Sequence, residues 1–174
     1  MTVSIPTPTP RVTPPLVADE RAMLAAWLDY HRATLETKCT GVSEKALREC
    51  LEGHPSPLSL LGLVRHMADV ERAWFRRGVA AEDAPPLYYS EDDPDGDFDN
   101  VDSADVAQVF AAWQAECRCA REIVAAVVSL DDTFDHRGKR VSLRWVMIHL
   151  VEEYARHNGH ADLLRERIDG ATGE

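Results

Sequence analysis

Four long stretches of this chain repeat apolar residues at steps of three and four, and that spacing most narrows the folds open to it. An α-helix turns once in 3.6 residues, so residues so spaced share one face. The first stretch, about 18 to 37, carries Leu24, Leu28, His31 and Leu35. A short turn over 43–51 follows Gly41. The second stretch starts near Pro57 or Leu58, stops at Gly78, and carries Leu63, His66, Val70 and Ala73. The third opens with Ser103 as N-cap and Asp105 in the first turn. It carries Val106, Phe110, Trp113, Cys117, Ala120, Val124 and Val127. The fourth opens near Ser142 and stops at Gly170; it carries Leu143, Met147, Leu150, Tyr154, His157, Ala161, Leu164 and Ile168. No stretch alternates as a strand does. These patterns predict an all-α four-helix bundle over 18–170. A disordered Pro/Thr-rich tail, 1–17, precedes it, and a long acidic link, 80–102, joins the second and third helices.

Charge and composition remove several functions. The net charge of −11 opposes binding to nucleic acid or to an anionic membrane, because both select basic surfaces. No apolar run reaches the roughly 18 residues needed to span a bilayer. Cys39, Cys50, Cys117 and Cys119 form no C-x-x-C pair, which fits reduced thiols in a cytoplasmic protein. There is no glycine-rich phosphate loop, nucleophile elbow or dinucleotide fingerprint.

Histidines stand where leucine is expected. His66 lies between Leu63 and Val70 on the second stripe, and His157 between Tyr154 and Ala161 on the fourth. Glu153, four residues before His157, flanks the same face. A buried imidazole needs partners, and a buried carboxylate is costly unless paired or bound to a cation. One divalent ion would satisfy all three. Taken singly, the bland readings are better for each: a hydrogen-bonded core histidine for His66, and for Glu153 an exposed ion pair with Arg156 or Arg144. The joint pattern is what favours the metal. His149, one turn before Glu153, is a fourth ligand or an outer partner; His160 is an outer partner or simply exposed. His31 is a core histidine that could line the pocket. His54 and His136 sit in loop-like contexts. Arg156 or Arg72 could orient a substrate carboxylate.

The segments SLLGLVRHMADVERAWF (59–75) and EEYARHNGHADLLRERIDG (152–170) resemble the DinB/YfiT-like superfamily of metal-binding bundles. The closer likeness is to the actinobacterial branch that includes mycothiol-dependent enzymes. The resemblance implies a bundle of up-down-down-up connectivity, often dimeric; apolar helix flanks would permit a homodimer here. It implies a metal held between a histidine on the second helix and two residues one turn apart on the fourth, which are His66, Glu153 and His157 in this chain. Many members use three histidines, whereas the mycothiol-dependent maleylpyruvate isomerases are similar in having one Glu. Those isomerases carry a further C-terminal domain that this chain would lack, so the likeness runs to the short thiol S-transferases.

Two imidazoles and one carboxylate leave a divalent ion with open positions. Zn²⁺ is favoured, with Ni²⁺ or Fe²⁺ as alternatives. The expected activity is transfer of a small thiol, mycothiol by resemblance, to a small electrophile. The alternatives are a metal-dependent hydrolase or isomerase, and a non-catalytic metal-binding stress-related protein. The acidic loop EDDPDGDFDNVD, 91–102, resembles an EF-hand loop but lacks the first Asp and the last Glu and contains Pro94. A solvated loop is the better reading, and a lid carrying Leu87, Tyr88, Tyr89 and Phe98 is another.

Overall fold

The structure, a computed structural model, describes residues 9–50 and 57–172. The expected tail up to residue 8, the end of the short turn at Leu51, and His54 lie outside the described residues. Residues 9–17 carry no regular structure apart from a bend, and the Thr9 amide donates to Glu36 at 2.8 Å while Pro14 is buried. That part of the tail therefore runs against the bundle.

Helix α1 spans Glu20–Cys39. It starts two residues later than the stripe suggested, because the Asp19 carboxylate accepts the Ala22 amide at 3.0 Å and so caps it. The short α2, Glu44–Arg48, is capped by Ser43. Helix α3, Leu60–Glu71, is capped by Ser59 and runs without a break into a π-helical turn, Arg72–Val79. The expected single α-helix to Gly78 is thus corrected at its last two turns, where the Ala80 amide reaches back five residues to Phe75 at 2.8 Å. After α4, Gly96–Asp99, helix α5 spans Val106–Ala126. Its N-cap is Asp105 rather than Ser103, since the Asp105 carboxylate is the group that accepts the Gln108 amide, at 3.0 Å.

A strand-free reading is also corrected. Thr133–His136 (β1) pairs antiparallel with Lys139–Ser142 (β2) as a small hairpin. Arg137 and Gly138, at φ 52° and 78°, make the turn. Ser142 then caps α6, Leu143–Asp169, which ends on Gly170 at φ 75°.

The described residues form a mostly helical bundle. Helix α6 lies along α1: Arg144 donates to Glu20 at 2.7 Å, the Asn158 amide to the His31 carbonyl at 3.1 Å, and Arg165 to the Thr40 carbonyl at 2.7 Å. Helix α3 and its π-helical turn lie along α5, where Arg72 donates to Glu116 at 2.6 Å. Leu28, Leu63, Met67, Phe110, Leu150 and Tyr154 meet in the middle, each at most 2 % exposed. Burying such a side chain contributes about 1.5–3 kcal/mol, which sets the backbone against which polar groups must be placed.

Candidate metal centre

His66 and His157 reach each other across the bundle because α3 and α6 pack face to face. Their ring centroids lie 4.7 Å apart at 65°. Glu153 stands one turn before His157 on α6, and its Oε2 is 3.3 Å from His157 Nε2. One ligand atom from each of His66, Glu153 and His157 falls within 4.8 Å of the others, and among the described residues no other group of three His, Cys, Asp or Glu does so. Ligands of a tetrahedral zinc at ~2.0–2.1 Å stand about 3.3 Å apart, so small rotations bring this set to one ion.

The electrostatics suit a cation. Burial, followed by the positive fields of His66, His160 and Arg156, lowers the His157 pKa from 6.5 to about 4. That imidazole is neutral at physiological pH, the form that coordinates a metal. His157 Nδ1 is buried, and among the described residues it has no hydrogen-bond partner. An unpartnered nitrogen inside a protein is costly, which singles this ring out from an ordinary core histidine. The side chains of His66, Glu153 and His157 are 26, 17 and 12 % exposed, so the cluster opens to solvent on the His66 side.

The other candidates separate. Glu153 pairs with neither arginine suggested for it: Arg156 binds Glu152 at 2.5 Å, and Arg144 binds Glu20 and Asp131. Glu153 instead faces His149, whose Nε2 is 3.6 Å from its Oε1. His160 sets its ring against His157 at 5.5 Å, and its Nδ1 is likewise buried without a partner among the described residues. His31 is outside the cluster, beside Asn158, whose amide approaches its Nδ1 at 3.3 Å. Arg72 is committed to Glu116 and the Pro85 carbonyl, which removes it as a substrate anchor. His136 is not idle in its loop; it stacks on Trp74 at 4.1 Å and 15°. Trp74 in turn touches Trp145 and His149, so an aromatic wall runs from the hairpin to the edge of the cluster.

Asp97 is the group that the sequence did not disclose. Its Oδ2 lies 2.8 Å from His66 Nδ1, and it is 5 % exposed although Glu91, Asp92, Asp95 and Asp99 of the same loop are exposed. Phe98 stacks on the His66 ring at 5.2 Å. The one available signal was the pattern Gly96-Asp97-Phe98, where a glycine and an aromatic interrupt a run of acids. The EF-hand likeness receives no support among the described residues, since no three loop carboxylates converge.

Two clefts, of about 650 and 410 Å³, open between α1 and α5. Neither is lined by His66, Glu153 or His157, so volume alone points away from the chemistry. No helix among the described residues is long and apolar enough to cross a membrane.

A family model described as mycothiol-S-transferase matches residues 23–170. No curated protein and no solved structure matches the chain.

Proposed function

Since the chain belongs to the mycothiol S-transferase family, we propose that it joins a low-molecular-weight thiol, mycothiol, to a small electrophile at a divalent metal held by His66, Glu153 and His157. The observation that carries this reading is the convergence of three ligand atoms from two helices, one of them on the neutral imidazole of His157. A bound dication, of which zinc is the favoured one, would stabilise the anionic form of an entering thiol and so raise its thiolate fraction at neutral pH.

The chain's own residues do the rest. Glu153 contributes one negative charge, which leaves an excess of one positive charge for the thiolate. The two imidazoles, as metal ligands, would add none. The open side near His66 admits both substrates, and the wall of Trp74, Trp145 and His149 offers flat apolar surface against which the electrophile can lie. The thiol proton passes to water. The sulfur then forms a bond to the electrophilic carbon while the leaving group departs with its electron pair.

The two buried thiols, Cys39 and Cys117, are poor substitutes for an incoming one. Burial pushes the Cys39 thiol up to about 12, and burial together with Glu71 pushes Cys117 up further still.

The contacts of α1 with α6 and of α3 with α5 support an up-down-down-up path for the four long helices, with the acidic loop joining the second and third. Pairing of two bundles and residence in the cytoplasm belong to the same reading.

The test is conjugation of monobromobimane in the presence of zinc. Mycothiol-dependent bromide release that His66→Ala abolishes supports the transferase. A rate that does not depend on mycothiol or on metal refutes it.

A further inference from the structure

Four residues of α3 spaced at i, i+3, i+4 and i+7 share the face that meets the acidic segment. Gly62, Arg65, His66 and Asp69 all receive parts of the acidic segment. Phe98 comes so close to Gly62 that a Cβ there would stand 2.8 Å from its ring. Arg65 donates to the carbonyls of Gly96 and Asp97, both at 2.8 Å, and lies 4.2 Å over the Tyr88 ring. The Asp69 carboxylate accepts the amides of Leu87 and Tyr88 at 2.7 and 3.0 Å. Between them, the Asp97 carboxylate meets His66 Nδ1.

We propose that Asp97 is a positioning residue for His66: it accepts the Nδ1 proton, fixes the imidazole in the tautomer whose Nε2 lone pair faces Glu153 and His157, and so ties seating of the acidic segment to metal binding. The second half rests on the metal reading above; the first half does not.

The chemistry requires this direction. An ionised carboxylate only accepts, so the proton must be on Nδ1 and the free pair on Nε2. A free neutral imidazole divides between two tautomers, and fixing one of them removes that choice before a ligand bond forms. Carboxylate partners of ligand histidines change metal affinity by about 10–100-fold. The carboxylate is well held: Asp97 is buried, its Oδ1 accepts the Phe98 amide at 3.1 Å, and its own carbonyl is clamped by Arg65. Gly96 makes the approach feasible, since a side chain there would stand 2.5 Å from the Tyr88 carbonyl.

The experiment compares wild type, Asp97→Ala, Asp97→Asn and Phe98→Ala. Long-range ¹H–¹⁵N NMR of the metal-free proteins reads the His66 tautomer, and competition with a chromophoric chelator reads zinc affinity. Wild type should show a protonated Nδ1. Asp97→Ala should lose that signature and bind zinc about 10–100-fold more weakly. Asp97→Asn, whose amide oxygen still accepts, should keep the tautomer in part and lose less affinity. Phe98→Ala should keep the tautomer and lose less affinity than Asp97→Ala. An unchanged His66 tautomer in Asp97→Ala overturns the proposal whatever the zinc result. Equal affinity losses in Phe98→Ala and Asp97→Ala also overturn it, because loosening of the loop would then suffice. If wild type takes no zinc, the metal reading fails, and the tautomer still decides the role of Asp97.

Discussion

Two polar clusters share helices α3 and α6, and they differ in how completely they satisfy themselves. One is Arg32, Glu71, Tyr154 and Cys117. Arg32 binds both oxygens of Glu71 at 2.8 Å, the Tyr154 hydroxyl donates to Glu71 at 2.8 Å, and Trp113 donates to Tyr154 at 3.0 Å. Every side chain in it is at least nine-tenths buried, and it forms a floor beneath the clefts between α1 and α5. The other is His66, Glu153 and His157, five residues earlier on α3 and flanking Tyr154 on α6. It holds an unpartnered nitrogen and opens to solvent. A buried network with each donor matched to an acceptor is complete as structure. One with a carboxylate between two imidazoles and a buried nitrogen unmet calls for a partner from outside the chain.

The largest effect that sharpens this contrast is loss of the closed cluster. Glu71→Gln leaves the buried Arg32 with only the half-exposed Asp29 as counter-charge, and should cost about 3–5 kcal/mol in a urea titration. Zinc affinity should persist wherever the variant remains folded. Tyr154→Phe removes the acceptor of Trp113 and one donor to Glu71, and should cost about 1–3 kcal/mol. Again metal binding should be retained, although Tyr154 lies between the two α6 ligands. If either substitution abolishes zinc binding in a folded protein, the two clusters are one unit and the comparison breaks.

Acid should act on the open cluster. The folded His157 pKa is depressed to about 4 from 6.5. Below about 6.5 the unfolded chain takes up a proton that the folded one refuses until about 4. The unfolded state binds more protons across that window, so stability falls as pH drops from 6.5 to 4 and recovers as it rises. Thermal unfolding of metal-free wild type should show this, and His157→Gln should flatten the slope.

The smallest effect concerns thiols. Cys50 is exposed, Cys119 half-buried, and Cys39 and Cys117 buried. Titration with a disulfide reagent should find Cys50 fast, Cys119 slower, and the other two reactive only on unfolding. Rapid native labelling of Cys117 would show that the closed cluster opens.

The stripes made the four long helices legible, and the histidines interrupting them made His66 and His157 legible. The ends of α6 were readable because Ser142 and Gly170 have strong capping chemistry. The hairpin 133–142 was not, since four-residue strands are too short for alternation to stand out and only Phe134 and Val141 mark it. The π-helical turn was hidden because Arg72–Val79 keeps helical composition while its hydrogen bonds shift by one residue. Asp97 escaped because its partner lies 31 residues away and its flanks look like solvated loop. The closed cluster escaped because Arg32 and Glu71 are ordinary helix residues until α1 and α3 are placed together.

Zinc stoichiometry of the purified protein, measured by elemental analysis beside circular dichroism for wild type and His157→Ala, tests the central claim most directly. The account predicts one equivalent in wild type and none in the variant, with the same helical spectrum. Equal zinc in both, or none retained by wild type after incubation with the metal, would contradict it.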